Sequence, residues 1–126
     1  MNGLLLPKVG GLAAAHAAWR ATGARSAGRV LVRALSSPDE TVRTVAGILL
    51  EKGGRRRAAP VLYEAVERRE SLDVVLLILA DLEVPGAEPV LARFTDDPDP
   101  EVARSAREGL RILAAAEGEA QPTSVG

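Results

Sequence analysis

His16, the only histidine, is the first side chain to consider for catalysis, because an imidazole can act as a general base. A general base needs a nucleophile or an acid positioned against it. The chain contains no Cys, and no Ser or Asp near His16 completes such a constellation. In the helical register described below, His16 takes an inward position. We therefore predict a structural role for His16, no catalytic residues and no cofactor.

The acidic run Asp96-Asp97-Pro98-Asp99-Pro100-Glu101 has the composition of a metal-binding loop. Hard cations such as Ca²⁺ require several oxygen ligands that converge from one loop. The run does not match the EF-hand spacing, and two prolines stiffen it. Carboxylates at the start of a helix are favoured by capping and by the helix dipole. The sequence therefore predicts a helix start here and no metal site.

The run Gly53-Gly54-Arg55-Arg56-Arg57 could bind an anion, because its glycines precede a helix N-terminus. It is not a P-loop, since it lacks the Gly-Lys-Ser/Thr sequence and a preceding strand. Arginines at a helix start oppose the dipole, which indicates a compensating partner. Together with Arg25, Arg29 and Arg33, this run could form one basic surface. That surface would be solvated, bind an acidic protein surface, or bind a phosphate backbone.

Tyr63 lies off the centre of the apolar stripe of its segment. An exposed Tyr on a groove-lining helix would be a binding anchor, because aromatic side chains dominate many interfaces. The alternative is that Tyr63 fills space between helices.

Composition predicts one soluble domain with an uneven charge distribution. Hydrophobic residues make up 47% of the 126 residues, and the absence of Cys excludes disulfides and thiolate metal sites. Residues 1–57 hold ten basic and three acidic side chains, a net charge of +7, whereas residues 58–126 hold six and fourteen, a net charge of −8. No apolar run approaches the roughly 20 residues that span a membrane, and Lys8 interrupts the apolar start. We expect a cytoplasmic protein.

One helix can be read from start to stop in residues 37–53. Ser37 is the predicted N-cap, Glu40 completes a capping box, and Pro38 takes the first helical position. Val42, Val45, Ala46, Leu49 and Leu50 form one apolar stripe. Gly53 and Gly54 end the helix.

This helix recurs with a period of 30 residues. Leu12, Val42, Leu72 and Val102 are spaced at that interval, and inward partners such as Ala46, Leu76 and Ala106 follow in step. A second set of helices lies between them, over residues 27–35, 57–68 and 86–95, with Val30 and Leu31 in the stripe of the first. Periods of this length indicate a stacked repeat array.

The segment 72–82 is apolar on nearly all sides, and Ser71 is its predicted N-cap. In the repeat register Val74 and Leu77 take outward positions. Either a central repeat is more buried than the others, or Val74 and Leu77 form an apolar patch for a partner or a second copy.

Two segments carry a family motif. Pro-Asp-x-x-Val-Arg-x-x-Ala-x-x-Leu-Leu at 38–50 and Asp-Pro-Asp-Pro-Glu-Val-Ala-Arg-Ser-Ala-Arg-Glu-Gly-Leu at 97–110 resemble HEAT-like repeats of the short bacterial type, which also occur in phycobilisome lyase subunits. The resemblance spans roughly residues 9–116, and the third repeat departs from it at Leu72-Asp73-Val74. It implies an all-α, right-handed α-solenoid of about three and a half stacked antiparallel helix pairs.

The predicted function follows from this architecture and from the charge distribution. Residues 1–116 would form a single HEAT-like repeat domain, with residues 117–126 as a flexible tail. The domain would be a non-enzymatic adaptor or scaffold that binds another protein with an acidic surface through its concave helix face. The predicted partner-binding residues are Arg29, Arg33, Arg56, Arg57 and Tyr63 on that face, with Val74 and Leu77 as a second patch.

Three alternatives remain open at the level of the sequence. The basic N-terminal half could bind a nucleic-acid backbone. The resemblance to phycobilin lyases implies a lyase or chaperone-like subunit that handles a tetrapyrrole. The opposite charges of the two halves would also allow head-to-tail self-association.

Overall fold

The computed structural model describes the backbone of residues 5–120 and the side chains of residues 9–119. This part of the chain is all-helical, without strands, and its seven α-helices are α1 (Leu5–Thr22), α2 (Arg25–Ala34), α3 (Glu40–Lys52), α4 (Arg55–Arg68), α5 (Leu72–Asp81), α6 (Ala87–Ala92) and α7 (Pro100–Ala120). The prediction of an all-α fold is confirmed for these residues.

Burial follows the 30-residue register. Leu12, Val42, Leu72 and Val102 are each only 4–5% exposed, and Ala46, Leu76 and Ala106 are fully buried. These side chains belong to one hydrophobic core that also contains Trp19 and Leu31. Equivalent positions of α1, α3, α5 and α7 therefore point to the same interior.

The helices pack on near neighbours in the sequence. α1 packs on α2 and α3, α2 on α3 and α4, α4 on α5, and α7 on α5 and α6, with the most extensive packing between α5 and α7. Helices joined by a turn share the core, and so do three pairs of helices two apart in the chain: α1 with α3, α2 with α4, and α5 with α7.

One edge of the molecule carries the turns α1–α2, α3–α4 and α5–α6, and we call it the glycine edge because each turn holds a glycine at positive φ: Gly23, Gly54 and Gly86. Side chains link neighbouring turns along it. Arg57 Nη2 donates to the carbonyl of Arg20 (3.4 Å), and Tyr63 donates to the carbonyl of Pro85 (2.8 Å). The glycine edge is thus continuous from α1 to α6.

The opposite edge carries the turns 35–39, 69–71 and 93–99. Ser71 Oγ donates to the carbonyl of Val32 (3.3 Å) and contacts Ser36 Oγ. Arg69 donates two hydrogen bonds to the carboxylate of Asp97, at 3.0 and 2.9 Å. These bonds bridge turns that are about 30 residues apart in the chain.

The N-cap of α3 is Asp39, and the prediction of Ser37 was wrong. The Asp39 carboxylate accepts from the amides of Thr41 (2.8 Å) and Val42 (3.2 Å). A carboxylate is favoured over a hydroxyl here because it also interacts with the helix dipole. Ser37 Oγ instead accepts from the amide of Asp39 (3.1 Å), so Pro38 lies before the helix and not at its first position.

Other predicted details also differ from the structure. Ser71 holds the N-cap position of α5, but its side chain caps no amide because it is engaged with α2. On α2 the buried valine is Val32, and Val30 is 43% exposed. The helix α7 continues to Ala120, beyond the predicted boundary at residue 116. Residues 121–126 of the predicted tail lie outside the described residues.

Candidate partner-binding surface

An open depression of about 600 Å³ lies on the glycine edge where α1, α3 and α4 meet. Its walls are formed by three glycines, three arginines and a proline: Gly23, Gly53, Gly54, Arg55, Arg56, Arg57 and Pro60. We call it the basic depression. It exists because α3 ends at Gly53 and the chain turns at once into α4.

The close approach of α3 to α1 sets the floor of this site. A Cβ atom at Gly53 would lie 2.5 Å from the ring of Trp19, so only glycine allows the end of α3 to rest on that indole. Trp19 is 1% exposed and fixes the position of the turn. Gly54 follows at φ 84°, a left-handed conformation that glycine adopts without strain.

The basic depression concentrates positive charge. Arg55 and Arg56 are exposed and form no ion pair with any residue that the structure describes. They lie in the first turn of α4, whose N-cap Gly54 provides no side-chain cap, so the dipole adds positive potential. The site therefore favours an anionic partner.

Arg57 has a different environment from its two neighbours. Its guanidinium donates to the carbonyls of Gly53 (3.0 Å) and Arg20 (3.4 Å). It holds the ends of α1 and α3 against α4 and still contributes its charge to the depression.

His16 lies near this region, and its surroundings favour the neutral form of the imidazole. Desolvation lowers its pKa, and the charges of Arg20, Lys52 and Arg57 lower it further. Its Nε2 atom is buried without a hydrogen-bond partner. His16 packs against Trp19 with ring centroids 6.3 Å apart, which is consistent with a structural role.

Arg29 and Arg33 of α2 do not line the basic depression. Arg29 forms an ion pair with Glu64 of α4 (2.5 Å), and the hydrogen bond between them raises the pKa of Arg29 and lowers that of Glu64. Arg68 also approaches Glu64 (3.8 Å). Arg33 is exposed. The α2–α4 face is therefore partly neutralised at its centre.

Tyr63 is half-buried and packs against the core. Its hydroxyl donates to the carbonyl of Pro85, which anchors the α5–α6 turn to α4. Its geometry fits the second of the two interpretations, in which Tyr63 fills space between helices.

Val74 and Leu77 are also half-buried. Val74 packs against the core, whereas Leu77 lies in a depression between α5 and α7 beside Ser105 and Glu101. The larger exposed apolar side chains are Val30 and Ile48, at 43% and 50% exposure.

Known proteins provide no guide to this surface. Comparisons with family models, with curated proteins and with solved structures found no match.

No helix among the described residues has the length and apolar character needed to cross a membrane. In the same part of the chain, no three His, Asp or Glu side chains are placed to hold a metal ion together.

Sequence reasoning missed a second depression on the glycine edge, of about 230 Å³, at the α5–α6 turn. Its charged residues are Glu83, Glu88 and Glu117, and its apolar wall includes Leu113 and Ala116. We call it the acidic depression. The three acids come from three separate segments, so only an excess of acids in this half of the chain could have indicated it.

Two further carboxylates lie at helix ends on the glycine edge. Desolvation raises the pKa of Glu51 at the end of α3, and the charge of Asp81 at the end of α5 raises it further. Desolvation also raises the pKa of Asp81.

Proposed function

We propose that this chain is a non-enzymatic interaction module, an adaptor or scaffold, that binds an acidic segment of another protein at the basic depression. The observation that carries the proposal is the pair Arg55 and Arg56, which are exposed at a helix N-terminus without a side-chain cap and form no ion pair with any described residue. Exposed arginines that are not paired within the chain remain available to carboxylates of a partner, and their field attracts acidic segments.

The architecture that we propose for this module is a short right-handed α-solenoid of HEAT-like repeats. The 30-residue register of buried positions supports it, as does the packing of α1 on α3, of α2 on α4 and of α5 on α7. In a solenoid the second helices line the concave face. Here these helices are α2, α4 and α6.

Binding would combine attraction at long range with contact at short range. The positive half of the molecule would steer an acidic segment toward the depression and speed association. Arg55 and Arg56 would then pair with carboxylates, and the ring of Pro60 would provide apolar contact. Arg33 would extend the surface along α2, and Arg29 would contribute only if it left Glu64.

A labelled peptide rich in Glu and Asp would test the proposal by fluorescence anisotropy. The variant Arg55→Glu/Arg56→Glu should lose about tenfold or more in affinity, because repulsion replaces attraction at the rim. The control Arg43→Glu/Arg93→Glu makes the same change in net charge on the opposite edge and should bind the peptide nearly as well as the wild type.

The same assay with a single-stranded oligonucleotide distinguishes the proposed function from the alternative of nucleic-acid binding. Stacking needs accessible aromatic rings. Trp19 and Phe94 are buried, and Tyr63 is held by Pro85. We expect weak oligonucleotide binding that disappears with moderate salt. Tighter binding to the oligonucleotide than to the peptide, or equal peptide binding by both double variants, would contradict the proposed function.

A further inference from the structure

The glycine edge carries two depressions of opposite charge. The basic depression holds Arg55 and Arg56, and the acidic depression holds Glu83, Glu88 and Glu117. None of these five side chains forms an ion pair within the part of the chain that the structure describes. Each depression therefore presents charge that remains to be neutralised.

The two depressions belong to the same edge because a series of contacts runs between them. Arg57 joins the end of α1 to α4. Tyr63 of α4 donates to the carbonyl of Pro85 and so joins α4 to the α5–α6 turn. The α5–α6 turn then reaches Leu113 and Glu117 of α7.

Hydrogen bonds fix the path of the backbone at this turn. The amide of Val84 donates to the carbonyl of Leu79 (3.1 Å), and that of Glu83 donates to Ala80 (3.0 Å). Tyr63 fixes the carbonyl of Pro85 from α4. A fixed backbone suits a specific contact, because the turn itself loses little conformational freedom on binding.

We propose that the partner of the basic depression is the acidic depression of a second copy of this chain. Opposite charges on one edge allow a two-fold arrangement in which two copies meet edge to edge and each basic depression faces the partner's acidic depression. The contact is made twice and the assembly closes as a dimer. Pro60 of one copy would face the apolar wall formed by Leu113 and Ala116 of the other.

This inference rests on the proposed function, because it uses the same basic depression and assigns its occupant. It differs from head-to-tail association, in which the two depressions would lie at opposite ends and copies would add without limit. The two-fold arrangement instead predicts a mass that stops at twice the monomer.

Sedimentation equilibrium of the purified chain with two single charge reversals tests the dimer. Arg56→Glu and Glu88→Arg should each weaken self-association about tenfold or more, since each places like charges at both contacts. Mixed in equal amounts, these two variants should form a 1:1 dimer, because every contact then pairs opposite charges again. Arg93→Glu and Asp96→Arg, on the opposite edge, are matched controls that should dimerise like the wild type.

Several outcomes would overturn the inference. A wild type that stays monomeric at all concentrations, variants that dimerise like the controls, or a mixture that does not recover would each do so. A mass that grows beyond two copies would replace the two-fold arrangement with head-to-tail association. If the monomer still bound the acidic peptide through Arg55 and Arg56, the proposed function would stand while the dimer failed. If the chain neither bound the acidic peptide nor dimerised, both the proposed function and the dimer would be wrong.

Discussion

The arginines of this chain have different roles that depend on what each guanidinium meets. Arg69 donates two hydrogen bonds to the carboxylate of Asp97, and Arg57 donates to backbone carbonyls at two helix ends. Arg55 and Arg56 meet no acid in the described residues. Residue type alone therefore does not separate a structural arginine from one available to a partner.

The pair Arg69–Asp97 leads to a prediction about stability and pH. The hydrogen bond from Arg69 lowers the pKa of Asp97, and the bond from the Asp99 amide lowers it further. The ionised carboxylate therefore stabilises the fold above its ordinary pKa of 3.8, and this stabilisation is lost as the pH falls through the lower pKa of the folded state. Asp97→Asn should lower the midpoint of urea unfolding at about pH 7 and have less effect at about pH 2.

The neighbouring acid provides the control for this experiment. Asp96→Asn removes the same charge from an exposed side chain that makes no hydrogen bond to another described residue. Its unfolding midpoint should stay close to that of the wild type. If both variants lost stability equally, or if the effect of Asp97→Asn did not depend on pH, the ion pair would not be the source of the stabilisation.

At the scale of the elements, glycines decide how closely the helices approach. A Cβ atom on Gly28 of α2 would lie 2.6 Å from Val61 Cγ2 of α4 and 3.1 Å from Trp19 Nε1 of α1. In contrast, a Cβ atom on Gly47 of α3 would meet its nearest neighbour, Leu35, at an ordinary 3.9 Å. Of these two glycines, only Gly28 is required by packing.

Gly28 and Gly47 should therefore respond in opposite directions to substitution by alanine. Gly28→Ala should destabilise the protein by about 1–3 kcal/mol, because α2 must move away from α4. Gly47→Ala should stabilise it by about 0.5–1 kcal/mol, because alanine has the higher helix propensity and meets no clash. Chemical denaturation followed by circular dichroism measures both, and a stabilising Gly28→Ala would show that α2 and α4 pack less closely than the structure indicates.

At the scale of the whole molecule, the fold determines where the unevenly distributed charges of the chain lie on the surface. The net charge is only −1, but residues 1–57 carry +7 and residues 58–126 carry −8. The fold places uncompensated parts of both halves on the glycine edge. Exposed charges of this kind act over about 10 Å at 0.1 M salt and are screened at higher concentrations.

Salt dependence is the prediction that belongs to this scale. The affinity of the wild type for an acidic peptide should fall about tenfold or more between about 50 mM and 500 mM NaCl, since the binding charges are exposed. Titrations at several salt concentrations check it, and Arg55→Glu/Arg56→Glu should show a much smaller dependence. An affinity that did not change with salt would place the binding energy in apolar contacts.

Much of the helical framework follows from the sequence. The apolar positions repeat every 30 residues, so Val42, Leu72 and Val102 could be placed in the core, and Gly53 could be placed at a helix end. The N-cap residues were harder to predict, because Ser37 and Asp39 both have side chains that can accept a hydrogen bond from a backbone amide. Which of them caps α3 depends on the path of the chain from α2.

By itself, the sequence determined the all-helical fold of the described residues, the inward register and the separation of charge along the chain, because these depend on the types and spacing of nearby residues. Only the tertiary structure decided which charges remain uncompensated. Arg29 is paired by Glu64 and Arg69 by Asp97, across separations of 35 and 28 residues, while Arg55 and Arg56 meet no acid in the part of the chain that the structure describes. The acidic depression likewise forms only when α7 packs beside the α5–α6 turn. Ion pairs act over a few ångströms, so distant segments must fold together before their charges can meet.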